Sequence, residues 1–185
     1  MIKTKNDLKR YLNSDSKWLF SENRIQHEKY MKKTNDPRYL VSVYIRYLRK
    51  EEYYLNCKPS NVFSKLFHLV YEKRRNRLGA KIGFNMEPNC FDEGLTIFHS
   101  GSIVVNSESK IGKNCKLHGN NCIGNNGLTN RCPKIGNNVD IGFGAVIIGD
   151  IEIADDIKIG ANAVVNKSFL EPGITIAGVP AKKIK

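Results

Sequence analysis

The chain has 185 residues, of which 30 are Lys or Arg and 18 Asp or Glu, for a formal charge of +12. With 41% hydrophobic and 26% charged residues it falls in the globular range, which excludes wholesale disorder. No apolar run reaches the ~18–20 residues of a membrane span. Met1-Ile2-Lys3-Thr4-Lys5 leads into charged residues, not into the apolar core of a signal peptide, so a soluble cytoplasmic protein is expected.

The five cysteines, Cys57, Cys90, Cys115, Cys122 and Cys132, are odd in number and contain no C-x-x-C pair. That speaks against a disulfide framework or a zinc knuckle and for small buried thiols. The charge is uneven. Residues 1–80 hold 19 Lys+Arg and 8 Asp+Glu, a net +11, whereas residues 81–185 are left with +1. The densest run is Lys73-Arg74-Arg75-Asn76-Arg77. No nucleic-acid-reading motif accompanies it, so no nucleic-acid partner is expected. Peripheral contact of these basic helices with an anionic membrane is one use of the field, and packing against neighbouring helices or subunits is another.

In chain order, residues 1–78 read as an α-helical N-terminal region. Thr4-x-x-Asp7 has the form of a capping box ahead of Leu8, Tyr11 and Leu12. Asp36-Pro37 opens a stretch with Leu40, Val41, Tyr44, Ile45, Tyr47 and Leu48 at helical spacing. Ser60 is the expected cap of a third helix, whose apolar face carries Val62, Phe63, Leu66, Phe67, Val70 and Tyr71 and which Gly79 is expected to end.

From residue 79 to 185 the pattern changes. Ile135, Ile141, Ile147, Ile153, Ile159 and Val165 recur every six residues, as do Val105, Ile111, Leu117 and Ile123 before them. Val139, Ala145, Ile151, Ile157 and Ala163 follow five of these at a spacing of four. A six-residue period fits neither a helix nor a hairpin sheet. It fits a mainly β solenoid with one short strand per side, one inward residue per strand, and Asn or Gly at the corners. Asn120-Asn121, Asn125-Asn126 and Asn137-Asn138 suit such corners. Between Ile123 and Ile135 the repeat gives way to a polar stretch, Gly124 to Pro133, read as a projecting loop.

These hexads, with Gly94-Leu95-Thr96-Ile97-Phe98-His99 and the ending Ile176-Ala177-Gly178-Val179-Pro180-Ala181-Lys182, resemble the hexapeptide-repeat acyltransferases. The similarity is greatest to the serine acetyltransferase branch, including its relatives in polysaccharide gene clusters. The resemblance implies a left-handed parallel β-helix, here of about five coils, assembled as a homotrimer or a dimer of trimers. It also implies acetyl-CoA as co-substrate, bound in the groove between adjacent solenoids, and no metal.

The resemblance assigns roles residue by residue. His99, in the run His99-Ser100-Gly101-Ser102-Ile103-Val104-Val105, matches the general base, and an imidazole with an ordinary pKa of ~6.5 suits that task. His118 follows an inward position and is an assisting candidate. Where the family places the carboxylate that orients the base, this chain has Phe84, so Asp92 or Glu87 is the candidate replacement. The family's acid beside the base is Phe98 here, and its loop Arg-His pair is Arg131-Cys132. Asp36 and Arg131 match acceptor contacts. Asn125, Gly142, Phe143, Lys158, Gly160, Ala161 and Lys182 match CoA contacts, with the Asn125 amide aimed at the thioester oxygen.

The implied reaction moves an acetyl group to a hydroxyl of L-serine. Because Phe98 and Cys132 leave the amino-acid pocket half present, a sugar hydroxyl of a surface polysaccharide or its precursor is the rival acceptor. Two other classes compete. A zinc hydratase on this solenoid needs three converging histidines, and only His99 and His118 lie in the repeat. A non-catalytic scaffold docked through the basic helices is the third reading.

Overall fold

The computed structural model describes residues 1–15, 17, 23–57 and 61–185. Among the described residues four helices come first: α1 (Lys5–Ser14), α2 (Arg24–Lys33), α3 (Pro37–Asn56) and α4 (Val62–Ile82). The Thr4–Asp7 capping box forms as expected, and Asp36 caps α3 with Pro37 in its first turn. Ser60 lies outside the described residues. Asn61 caps α4, in a reciprocal box with Ser64.

Two expectations for α4 are corrected. The helix does not stop at Gly79 but runs to Ile82, and Gly83, at φ +82°, ends it. Gly79 is buried because the chain crosses it closely: a Cβ there would lie 2.4 Å from the Phe84 carbonyl oxygen. The expected apolar face is not the packed one either. Ser64, Arg75, Gly79 and Ile82 are buried, while Val62, Phe63, Leu66 and Phe67 are exposed.

After Gly83 come fourteen short strands: β1 (Phe84–Met86), β2 (Thr96–Ile97), β3 (Ile103–Val105), β4 (Lys110–Ile111), β5 (Lys116–Leu117), β6 (Cys122–Gly124), β7 (Lys134–Ile135), β8 (Asp140–Ile141), β9 (Val146–Ile148), β10 (Glu152–Ile153), β11 (Lys158–Ile159), β12 (Val164–Val165), β13 (Thr175–Ala177) and β14 (Lys182–Lys183). They form three sheets, ordered β1-β3-β6-β9-β12, β4-β7-β10 and β2-β5-β8-β11-β13-β14. Every pairing is parallel except β13 with β14. Consecutive strands thus occupy successive sides of a left-handed parallel β-helix.

The register explains the period. Ile135 pairs with Ile153 and Ile141 with Ile159, each eighteen residues on, which is one turn of three hexads. Ile111 pairs with Ile135, Leu117 with Ile141 and Ile123 with Ile147 at twenty-four, because the coil that carries the 124–133 loop holds one extra hexad. The inward residues Val105, Ile123, Ile147 and Val165 are buried, as are Leu117, Ile141 and Ile159. Each such side chain contributes roughly 1.5–3 kcal/mol of transfer free energy. Cys90, Cys115 and Cys132 are buried among them, and burial pushes the Cys90 thiol up to about 12.

A buried ion network joins the helices to the first coil. Arg49 Nε lies 2.8 Å from Asp15, its Nη1 3.0 Å from Glu52, and its guanidinium donates to the Phe91 and Asp92 carbonyls. Asp15 accepts from the Gly94 and Leu95 amides. Arg75 pairs with Glu51 at 2.6 Å and donates to the Met86 carbonyl.

Candidate active site

Strand β2 ends at Ile97, whose inward side chain is stacked on Leu117 and Ile141 of the coils above. Alternation then turns Phe98 outward, and the chain leaves the strand at His99, which is exposed. Backbone bonds carry this arrangement up the corner: Phe98 N donates to Leu117 O, His118 N to Ile141 O, Gly142 N to Ile159 O and Gly160 N to Ile176 O. Phe98, His118, Gly142 and Gly160 therefore form one column, and His99, Gly119, Phe143 and Ala161 the next.

The second column holds the notch in which His99 sits. Gly119 has φ +118°, and a Cβ there would lie 3.1 Å from the Phe143 ring and 3.4 Å from the His99 Cβ. Only the missing side chain lets His99 and Phe143 face each other across it. Asn121, buried, holds this corner: its Oδ1 accepts from Gly119 N at 3.0 Å and its Nδ2 donates to Gly142 O at 2.8 Å. The His99 turn is tied from below by Gly101 N to Ile82 O and from above by Ser102 N to Asn120 Oδ1. The Asn120–Asn121 pair marks this corner in the sequence, whereas the notch at Gly119 and the bonds of Asn121 emerge only from the fold.

In the first column, the Phe98 and His118 rings stack at 4.7 Å between centroids, and His118 Nε2 lies 2.7 Å from Asp140 Oδ1. Lys116 Nζ is 3.8 Å from the other oxygen of Asp140. His118 thus stands one coil above the base and one residue aside, held by a carboxylate that sequence reading had not assigned to it.

The remaining candidates divide by place. Gly142, Phe143, Gly160 and Ala161 lie on the same corner as His99, with Lys158 and Lys182 exposed on the adjoining sheet. Gly142 and Gly160 are bare because the next coil lies so close: a Cβ on Gly142 would come 2.6 Å from Ala161 N. The outer edge that results carries backbone and the 44%-exposed Phe143 ring.

Asn125 and Arg131 lie at the opposite corner of the β1-β3-β6-β9-β12 sheet, beyond Gly124, roughly 20 Å away by strand geometry. There they line a cavity of about 660 Å³ with Asn106, Cys132 and Asp150, and Arg131 is paired with Asp150 at 2.9 Å. Asn125 accepts from the Gly127 amide. Asp36 caps α3 and pairs with Arg38 at 2.6 Å, which holds its carboxyl below the usual range.

Asp92 does not face His99. It accepts from the Tyr11 hydroxyl and the Glu93 amide, on the side of the solenoid that carries β4. Glu87 faces Arg75 at 3.5 Å. Neither candidate carboxylate therefore reaches the base within one chain.

No family model matches the chain. It is similar to the serine acetyltransferase of Buchnera aphidicola from Schizaphis graminum, 33% identical over 149 residues, or 80% of this chain and 51% of that protein. It is also similar to that of Helicobacter pylori 26695, 39% identical over 108 residues and 57% of each chain. Among solved structures, the soybean serine acetyltransferase apoenzyme superposes with a TM-score of 0.71 at 22% identity, over 97% of this chain and 69% of that one. A serine acetyltransferase solved in complex with CoA gives 0.63 at 27%, over 78% and 57%.

This chain has the serine acetyltransferase fold. The likeness extends from the solenoid through the helical region, since the soybean match covers nearly all of the chain. The chain spans about half the length of the curated serine acetyltransferases it matches.

Proposed function

We propose that this chain transfers the acetyl group of acetyl-CoA to a hydroxyl, with L-serine as the acceptor. The observation that carries the reading is the exposed His99 imidazole in its Gly119 notch, beside Phe143 and at the foot of the Gly142–Gly160 edge. The serine acetyltransferase names of its relatives and the CoA-bound neighbour support the same chemistry.

A free hydroxyl is a poor nucleophile near neutral pH, so the step needs a base. His99 takes the acceptor's proton as the oxygen attacks the thioester carbonyl. The C–S bond then breaks, and the proton held on His99 goes to the departing sulfur. Backbone donors stabilise the charge on the carbonyl oxygen, each worth roughly 3–4 kcal/mol in such sites. Asn125 is assigned to that task.

His99 and Asn125 lie at opposite corners of one sheet face, so a single chain does not assemble this site. A homotrimer in which one copy's His99 corner meets the next copy's loop corner would complete it. Arg131 would then supply the cation for the acceptor carboxylate.

A second reading has one observation behind it. Phe98 stacks on His118 where an acid would hold an amino group, so the floor beside His99 is aromatic. That surface suits a sugar ring, and a glycan hydroxyl is the alternative acceptor. Incubation with acetyl-CoA and either serine or nucleotide-linked sugars, followed by mass spectrometry, tests both. Formation of O-acetylserine at a kcat/KM of about 10⁴ M⁻¹s⁻¹ or more supports serine, and acetylation of sugars alone overturns it.

A further inference from the structure

The corner above His99 is bare but for one side chain. From the coil of β8 upward, its two columns read Gly142, Gly160 and Ala177 in the first and Phe143, Ala161 and Gly178 in the second. Five of these six are Gly or Ala, and the closeness of the coils accounts for two of them. A Cβ on Gly142 would lie 2.6 Å from Ala161 N, and one on Gly160 would lie 2.8 Å from the Ala177 Cβ. Phe143 is the one large residue left on this edge, and it stands at the end nearest His99.

Its place is fixed. Asn162 N donates to the Phe143 carbonyl at 2.8 Å, and Gly144 N donates to the Gly119 carbonyl at 2.9 Å. The ring lies over Gly119, one coil below. Two of its carbons would stand 3.1 and 3.2 Å from a Cβ on Gly119, and the His99 Cβ would stand 3.4 Å from the same point. The ring edge and the His99 Cβ are therefore no farther apart than two of these distances laid end to end.

We propose that Phe143 sets the length of the acyl group: its ring closes the slot beside His99, so that the methyl of an acetyl group fits and a longer chain does not. The inference rests on the acetyl-transfer reading above. There His99 takes the proton of a hydroxyl whose oxygen attacks the thioester carbonyl. The base must lie about 3 Å from that oxygen and the oxygen ~3–3.5 Å from the carbon under attack, which puts the carbonyl roughly 6 Å from the imidazole. The Phe98–His118 stack borders His99 on one side, where the acceptor is placed, and Phe143 borders it along the edge that leads to Gly142 and Gly160. The acyl group of the donor then lies against the ring. An apolar wall discriminates by space, and one methylene more or less in such a slot changes the rate by about 10–200-fold.

The test is the ratio of kcat/KM among acetyl-, propionyl- and butyryl-CoA, read as release of the CoA thiol with L-serine and with nucleotide-linked sugars as acceptors. The wild type is expected to use butyryl-CoA at least about a hundredfold less well than acetyl-CoA. Phe143→Ala should narrow that gap at least about tenfold, and Phe143→Leu should narrow it by less. The ratio is the readout because lost packing alone lowers the rates with all three thioesters together. Equal use of acetyl- and butyryl-CoA by the wild type overturns the proposal. So does an unmoved ratio in both variants, which would make the ring a packing group or, if the sedimentation coefficient falls as well, a contact between copies. In either case acetyl transfer by the wild type leaves the catalytic reading standing. A wild type that transfers none of the three groups to any of these acceptors overturns that reading and this proposal with it.

Discussion

Asp140 holds His118 by a 2.7 Å contact to Nε2, and the imidazole so held stacks on Phe98, the residue next to the proposed base. Two coils of the solenoid thereby supply a stacked pair of rings beside His99, and a third supplies the carboxylate that holds them. These residues come from columns that the parallel register sets side by side.

If these rings receive the acceptor, loosening them should affect acceptor use more than CoA binding. Asp140→Asn and His118→Asn are each expected to lower kcat/KM for the acceptor about tenfold or more, with the Kd for CoA within about twofold of wild type. Steady-state kinetics alongside calorimetry reads both numbers. Unchanged acceptor kinetics would show that the pair only braces the corner.

Gly119 offers a sharper probe of the notch. Gly119→Ala introduces a Cβ at 3.1 Å from the Phe143 ring and 3.4 Å from the His99 Cβ, at φ +118°. The strained backbone costs about 1–3 kcal/mol. The displaced imidazole should reduce kcat by about a hundredfold, since small misplacements of a catalytic group are that costly. Wild-type turnover in a folded Gly119→Ala variant would remove Gly119 from the account.

The join between helices and solenoid should fail at Arg49. Arg49→Met leaves Asp15 and Glu52 buried without their cation, a loss of about 3–5 kcal/mol. Thermal unfolding should show a drop of roughly ten degrees or more. A shift of only a degree or two would mean that the carboxylates find other partners.

Acid should loosen the same join. Burial alone would raise the Asp92 carboxyl, but the Tyr11 hydroxyl and the Glu93 amide outweigh it and hold it below the usual range. Burial would likewise raise Glu93, and Lys113 and Arg10 overcome it. Both groups protonate first in the unfolded chain, near pH 4, so their stabilisation is complete above that range and is lost as pH falls through the native values. Tyr11→Phe should flatten the decline of Tm between about pH 5 and 3. An unaltered decline would take Asp92 out of the explanation.

The hexads made the solenoid legible because each inward position is one residue wide and recurs with every side of the coil. Ile135, Ile141 and Ile153 thereby reveal the register before any contact is known. The polar break after Ile123 likewise marked the loop that adds a hexad to its coil. The helices were less legible. Gly79 looked like a terminus because a glycine usually ends a helix, whereas here it permits the close crossing of Phe84. The stripe from Val62 to Phe67 looked like a core face, yet the buried side is set by the Asn61–Ser64 cap and the Arg75–Glu51 pair. Resemblance pointed to His99 and to Gly142 and Gly160, which the fold places on one corner. It could not find Asp140, whose closeness to His118 depends on the twenty-four-residue coil.

The account turns on His99, and its most direct test is the turnover of His99→Ala. Loss of the base should lower kcat by about 10²–10⁴-fold, with the CoA Kd and the sedimentation coefficient unchanged. Retention of more than about a tenth of the wild-type kcat would contradict it.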